Sequence, residues 1–353
     1  MSQFSMRRLG LAVLLVVPPL PGCHIIFPFG SSAGDAGAGD VARHDVADQS
    51  PFPIEGGHDA PSDTSPQPVD TSPPTDGSVP PTSWTPMSSG TNDYLYDIWG
   101  TSPSDVFAVG DMGTIIHFNG SAWGPMSSGT TYSLWGVWGS GPSDYYAVVD
   151  NGDVLHHDGS AWKLDFTSQA SWLGAVWGSG AKQVWAIGTD GGIDHFDGLS
   201  WKPQSPGTTE TLRGLWGSAS NDVVAVGNSG TILRWNGSSW QVNASGTSQD
   251  LKKVWGTGPS DIYAVGTGGT IVRYDGTKWQ TMSSPTTEQL NDVWGTPSNL
   301  YAVGNGGVLL HFNGTSWKLL SSGTSADLRG IYGFGLADIF VVGEGGGVWR
   351  SQP

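Results

Sequence analysis

The stretch "IWGTSPSDVFAVGDMGTIIHFNGSAW" (Ile98–Trp123) is one copy of a phrase that runs through most of the chain. Its Trp-Gly pair returns at Trp99, Trp138, Trp177, Trp216, Trp255 and Trp294, always 39 residues apart, and Tyr332 takes the seventh place. The tryptophan that closes the phrase forms a second row: Trp84, Trp123, Trp162, Trp201, Trp240, Trp279 and Trp317. A fixed period of about 40 residues marks a repeat architecture in which each unit is one supersecondary element.

Within a unit, "LYDIWG" (Leu95–Gly100) reads as an innermost strand A, and "DVFAVG" (Asp105–Gly110) as strand B. Strand B is rich in the β-branched and aromatic residues that suit a packed, pleated surface. "GTIIHF" (Gly113–Phe118) follows as strand C, and "SAWGPM" (Ser121–Met126) as strand D. Only Asp111 and Met112 separate the glycines between B and C, which reads as a two-residue hairpin needing positive φ. Between C and D stand Asn119-Gly120, Asp158-Gly159, Asp197-Gly198, Asn236-Gly237, Asp275-Gly276 and Asn313-Gly314. Asn-Gly and Asp-Gly between apolar runs are strong hairpin signals. Seven such units predict an all-β fold, a seven-bladed β-propeller of four-stranded antiparallel blades. A sandwich needs no fixed period, and an open solenoid needs polar capping repeats. Here the chain instead starts with an orphan strand D, "TSWTPM" (Thr82–Met87), and its last unit stops after strand C, "GGVWRSQP" (Gly346–Pro353). An N-terminal strand that completes the last blade closes the ring and leaves neither partial blade with an open edge.

Residues 83–353 are therefore expected to form the propeller, preceded by two segments of other character. Arg7 and Arg8 lead into the apolar "LGLAVLLVV" (Leu9–Val17), and "LPGC" (Leu20–Cys23) follows. The apolar run is short of the ~20 residues that span a bilayer, so residues 1–23 read as a signal peptide. The tetrapeptide resembles a bacterial lipoprotein box, with Pro21 as its one departure. Cys23 is the only cysteine, cannot form a disulfide within the chain, and is the expected lipidation site. His24, rather than Asp, follows it, which points to the outer membrane of the cell envelope. Residues 24–82 read as a linker. From residue 31 they hold eight Asp, Glu55 and a single base, Arg43, among Ala, Gly, Ser, Thr and Pro. Such a composition buries too little to offset chain entropy and is expected to stay disordered.

The phrase "LxxIWG…DVxAVGxxGTIxR/H…G…W" resembles the seven-bladed propellers of the photosystem II assembly factor family of plastids and cyanobacteria, and related BNR-type repeats. The resemblance covers residues 84–353 and rests on "AVG" (Ala108–Gly110), "GTI" (Gly113–Ile115), Arg234, Arg273 and the closing Trp row. An Asp-box hairpin, SxDxGxTW, is replaced here by the plainer "FNGSAW" (Phe118–Trp123). The resemblance implies the fold and life outside the cytoplasm. It implies no photosynthetic role, since fold and function separate readily in propellers.

The candidate chemistry is sparse. Asp105, Asp144, Asp222, Asp261 and Asp338 recur at the A–B turn, with Gln183 and Asn299 in the gaps, and read as turn-formers accepting backbone N–H bonds. No singular pair of carboxylates marks a glycosidase, no catalytic residue stands out, and no cofactor is implied. His117, His156, His195, Arg234, Arg273, His311 and Arg350 share one strand C position. They sit on different blades and include arginine, so a structural use is favoured over a metal site. Arg occurs only in units that carry the Asp, which suggests charge matching. A two-residue B–C turn, however, would set Asp105 opposite Phe118 and point it away from His117. Asn-x-Ser/Thr at Asn119, Asn236, Asn243 and Asn313 reads mainly as turn chemistry rather than glycosylation.

Two residues after the leading Leu of strand A vary most: Tyr96-Asp97, Trp135-Gly136, Gly174-Ala175, Arg213-Gly214, Lys252-Lys253, Asn291-Asp292 and Arg329-Gly330. They are expected around one mouth of the central channel. Tyr96, Trp135, Arg213, Lys252, Lys253 and Arg329 are the candidate ligand-binding residues, a basic arc in an acidic body that could focus an anionic group. The same positions also read as solvated strand ends with no ligand. Net charge is −16 with a pI near 4.6, which excludes the basic footprint of a nucleic-acid binder. The expected function is a lipid-anchored, non-enzymatic binding or scaffold module for a protein or an envelope polysaccharide. The alternative is a lectin with Trp-lined clefts, for which Trp135, Trp172 and Trp185 outside the two rows are the candidates; a hydrolase ranks behind both.

Overall fold

The computed structural model describes residue 81 and residues 83–352. The signal segment, Cys23 and all of the linker but residue 81 lie outside them. Seven four-stranded antiparallel sheets form a ring. In blade 1 the strands, from the channel outward, are A (Leu95–Ser102), B (Asp105–Gly110), C (Ile115–Phe118) and D (Trp123–Met126). Blades 2 to 6 repeat this order from Leu134, Leu173, Leu212, Leu251 and Leu290. Blade 7 is built from Leu328–Gly333, Ile339–Gly343 and Val348–Gln352, and its fourth strand is Ser83–Met87 from the other end of the chain. Trp84 pairs with Ser351 and Met87 with Val348, so the expected closure is present.

The apolar core lies between blades. Phe107, Val109 and Ile115 of blade 1 pack on Leu134, Val137, Tyr145 and Ala147 of blade 2. Phe340, Val342 and Val348 of blade 7 pack in the same way on Leu95, Ile98 and Val106 of blade 1, carrying the contact across the chain ends. The Trp-Gly pair belongs to the same interface. A Cβ added to Gly178 would lie 2.5 Å from the Trp138 indole, and one on Gly217 would lie 2.5 Å from that of Trp177. Each glycine thus clears room for the indole of the preceding blade. Trp99 Nε1 also donates to the Gly139 carbonyl at 3.0 Å, and Trp255 Nε1 to that of Gly295 at 2.9 Å.

The turns correct the sequence reading in one respect that matters. Val109 pairs with Ile115, so the B–C connection has five residues, Gly110 to Thr114, folded through a 3₁₀ turn. Met112 and Gly113 take positive φ there, and a Cβ on Gly113 would strike the Thr130 carbonyl oxygen at 2.0 Å. The longer turn shifts the register by one residue, placing Val106 opposite Phe118 and Phe107 opposite His117. A one-residue shift moves a side chain to the other face of a sheet. Asp105 and His117 therefore share a face. The C–D turn has four residues, 119–122: Asn119 Oδ1 accepts the Ser121 and Ala122 N–H groups at 3.0 and 3.1 Å, which is the turn role expected of that asparagine.

Candidate functional site

The Asp column, expected as turn-formers with the basic column pointing away, is instead the partner of that column inside each blade. His117 Nε2 lies 2.7 Å from Asp105 Oδ1, and His156 Nε2 lies 2.7 Å from Asp144 Oδ1. Arg234 reaches Asp222 at 2.5 Å, Arg273 reaches Asp261 at 2.8 Å, and Arg350 pairs with Asp338. Where the acid is absent, His195 meets Gln183 at 2.9 Å and His311 meets Asn299 at 3.0 Å. The second carboxylate oxygen is taken by a hydroxyl in four blades: Thr101, Ser140, Ser218 and Thr257. A partner present on every blade, with its hydrogen bonds already made, ties strand B to strand C. It leaves no singular reactive group. Among the described residues no cluster of three or more His, Cys, Asp or Glu could hold a metal ion.

The variable pair on strand A divides into two layers. Its first residues, Tyr96, Trp135, Arg213, Lys252 and Arg329, are part-exposed; its second residues, Asp97 and Asp292, are buried. Tyr96 and Trp135 stack with ring centroids 4.3 Å apart and planes within 4°. The order is set by hydrogen bonds from the B–C turn: the Tyr96 hydroxyl donates to Asp111 Oδ1 at 2.7 Å, and Ser133 donates to the same oxygen at 2.9 Å. Blade 3 has Gly174 in the series, and Trp172 from the preceding loop folds into the vacated space; a Cβ on Gly174 would sit 2.2 Å from its indole. Trp172 stands edge-on to Trp135 at 5.7 Å, and the Arg213 guanidinium lies 5.4 Å from the Trp172 ring centre. Planar groups from four consecutive blades thus form one run, Tyr96, Trp135, Trp172 and Arg213.

Arg213 Nε donates to Asn228 Oδ1 at 2.6 Å, and among the described residues no carboxylate lies within 4 Å of it. Lys252 is held by Asp250 at 3.2 Å. Its ammonium is pushed below the usual lysine range, first by burial and then by the Arg213 charge beside it. Two cations in such proximity form a site that an anion would relieve. Arg329 pairs with Asp327 at 2.8 Å, next to Tyr94, whose hydroxyl donates to Glu344 at 2.8 Å.

Lys253 does not belong to this rim. It crosses the channel from blade 5 to blade 1, with Nζ 2.6 Å from Asp97 Oδ1. Burial opposes its charge, yet Asp97 and Asp292 outweigh that and hold the ammonium above the usual lysine range. The other Asp97 oxygen accepts the Val137 N–H at 3.0 Å, and Asp292 accepts those of Val293 and Ile331 at 2.7 and 2.8 Å. These acids satisfy backbone donors on the innermost edges of blades 2, 6 and 7. Burial raises the Asp292 carboxyl above the usual carboxylate range, against the lowering effect of the Lys253 charge and with Asp97 adding to the rise. Sequence reading grouped Lys253 with its neighbour and placed Asp97 and Asp292 in the variable pair without singling them out; two acids and a lysine in a position otherwise held by Gly and Ala were the available signal. Trp185, expected as an exposed aromatic, is 1 % exposed and packs in the core on Trp177 and His195.

Comparison with solved structures agrees with this architecture. A structure titled "YCF48 bound to D1 peptide" is 20% identical with a TM-score of 0.65, covering 81% of this chain and 99% of its own. YCF48 from Cyanidioschyzon merolae is 18% identical at a TM-score of 0.63, covering 77% and 99%. The likeness is one of fold. The WD40 propeller domain of Doa1, 10% identical, superposes as well, with a TM-score of 0.64 and coverage of 77% and 95%. No protein-family profile matches the chain, and no curated protein does.

Proposed function

We propose that the protein is a non-enzymatic binding module whose channel mouth takes an anionic segment of a protein partner. The observation that carries this reading is the run Tyr96–Trp135–Trp172–Arg213, ending beside Lys252 in a cation pair in which, among the described residues, no carboxylate lies within 4 Å of Arg213. Positions that vary among units sharing the rest of their sequence escape the packing constraint, and function can be added there. The stack also favours a peptide over a sugar, because Tyr96 and Trp135 turn ring faces toward each other that a sugar would need. In the closing Trp row, Trp123, Trp162, Trp240, Trp279 and Trp317 are buried, which argues further against Trp-lined clefts. The neighbour titled as bound to a peptide makes a peptide ligand a natural first test for this fold.

The proposal includes a lipid anchor at Cys23 in the cell envelope, on the outer membrane, with the acidic linker spacing the propeller from the bilayer. Cys23→Ser is expected to abolish membrane fractionation and palmitate labelling; unchanged fractionation would reject the anchor. For the mouth, the probe is a labelled Glu-rich peptide, with polygalacturonate as the comparison. The peptide is expected to bind at low salt, weaken as salt screens the charges, and be lost with Arg213→Glu plus Lys252→Glu. The melting temperature of the variant is measured alongside, because both side chains are half-buried and charge reversal at Lys252 sets it against Asp250. Binding of polygalacturonate alone would select the polysaccharide reading, and binding of neither would reject the mouth as a site.

A further inference from the structure

The B–C turn holds one residue in the left-handed region at its middle. In blades 3 to 7 that residue is Asp190, Ser229, Gly268, Gly306 or Gly345, and in blade 1 it is Met112, at a φ of 54°. Glycine is free to adopt this conformation and a short polar side chain tolerates it, whereas a long apolar one is strained there. Met112 is 73 % exposed, so no burial within the fold offsets the strain. Strain kept at an exposed position points to function rather than folding. Tyr132 is a second departure. It stands two residues before Leu134 of strand A, a place held in the other blades by Asp93, Ser171, Glu210, Gln249, Glu288 and Ala326. It is 54 % exposed. Both lie at the seam between blades 1 and 2. Asp111 accepts the Ser133 hydroxyl at 2.9 Å, and Gly113 lies against the Thr130 carbonyl, so Met112 is held beside the segment 130–133 that carries Tyr132.

This apolar corner continues the aromatic run of the mouth. The Asp111 oxygen that accepts Ser133 also accepts the Tyr96 hydroxyl, and Trp135 follows Ser133 by two residues. The charges beside the corner are opposite to those at the far end of the run. Asp111 stands here with the exposed Asp150, whose N–H donates to the Ser133 carbonyl at 2.9 Å. Carboxylates of a bound segment are drawn to Arg213 and Lys252 and repelled from Asp111 and Asp150. The part of the segment over blades 1 and 2 is therefore uncharged, and Met112 and Tyr132 offer it an adaptable apolar surface.

We propose that Met112 and Tyr132 are the docking point for a large apolar side chain at one end of the acidic segment bound at the mouth. The partner's motif is then polarised along its length, apolar over blades 1 and 2 and acidic over blades 4 and 5. This rests on the peptide reading of the mouth, and the test separates the two. The probes are labelled amides of acetyl-Leu-Gly-Gly-Gly-Glu-Glu-Glu-Glu, of its reversed sequence, and of a control with Gly in place of Leu. They are measured at low salt on the wild-type chain, Met112→Gly and Tyr132→Ser, each substitution being a residue that another blade carries at that position. Partial burial of one leucine predicts about fivefold tighter binding of one leucine peptide than of the control on the wild type. The end at which leucine acts gives the direction of the segment. Met112→Gly and Tyr132→Ser should each bring that peptide towards the affinity of the control. The melting temperature of Met112→Gly should hold or rise, because glycine relieves the strain; a fall would give Met112 a part in folding and overturn its reading as free for a partner. Equal affinity of all three peptides for the wild type, with binding lost on charge reversal at Arg213 and Lys252, overturns the docking point and leaves the mouth standing. A leucine advantage that survives both substitutions also overturns it. If no peptide binds the wild type, the reading of the mouth fails and the docking point falls with it.

Discussion

His157 occupies a position that other blades give to Phe118, Phe196, Trp235, Tyr274 and Phe312. It is 5 % exposed; its Nδ1 accepts the Gly159 N–H at 3.2 Å, and its Nε2 has no partner among the described residues. Burial holds its pKa below the usual histidine value. The folded state therefore favours the neutral ring, whereas the unfolded chain takes up a proton near pH 6.5. Stability from this group is full above that value and is lost as pH falls through it toward the lower folded pKa. His157→Phe is expected to flatten the fall in melting temperature between pH 7 and pH 5. An equally steep fall in the variant would show that the acid sensitivity lies elsewhere. Individual substitutions of this kind are readable from the repeat because equivalent positions can be set side by side. Their consequence is not, since the burial of the substituted side chain depends on packing across strands that one unit's sequence does not contain.

At the scale of the strand, the Trp-Gly pair is the recurrent device. Its glycine has no need of positive φ at Gly217; it is small because the Trp177 indole of the preceding blade lies over it, with the Asp222 carbonyl oxygen 2.8 Å from where a Cβ would be. Gly217→Ala is expected to destabilise the protein by about 1–3 kcal/mol through overpacking, read as a shift in the denaturant midpoint at constant m-value. No shift would mean that the blades slide freely past one another at this seam. Strand identities and order were legible because period, apolar runs and turn residues agree. The hairpin register was not: Gly-Asp-Met-Gly reads as a two-residue turn, but the 3₁₀ fold of Asp111–Gly113 lengthens it to five. That difference decides whether Asp105 meets His117, so the most regular polar contact in the molecule was misread from a turn. The mouth was partly legible. The variable pair located it, while the Lys253–Asp97 bridge across the channel follows from the bulge in strand A between Leu95 and Asp97.

For the whole molecule, closure joins the chain ends in one blade, and the cooperative unit is the ring. Deleting residues 83–88 exposes the edge of Val348–Gln352 and uncovers the contact of Trp84 with Tyr301 of blade 6. A large fall in melting temperature is expected, against little change on deleting residues 31–80; equal effects would contradict closure by the N-terminal strand. A closed ring also fixes where function can sit. One face carries the Asp–His and Asp–Arg ties of five blades and the Gln–His and Asn–His contacts of the other two, and the other face carries the residues that differ from blade to blade. Backbone hydrogen exchange of the full chain with and without the Glu-rich peptide at low salt tests this division most directly. The account predicts new protection at the start of strand A and the loop before it in blades 1 to 5, around Tyr96, Trp135, Trp172, Arg213 and Lys252. Protection confined to the opposite A–B and C–D turns, around Asp105 and Asn119, would contradict it.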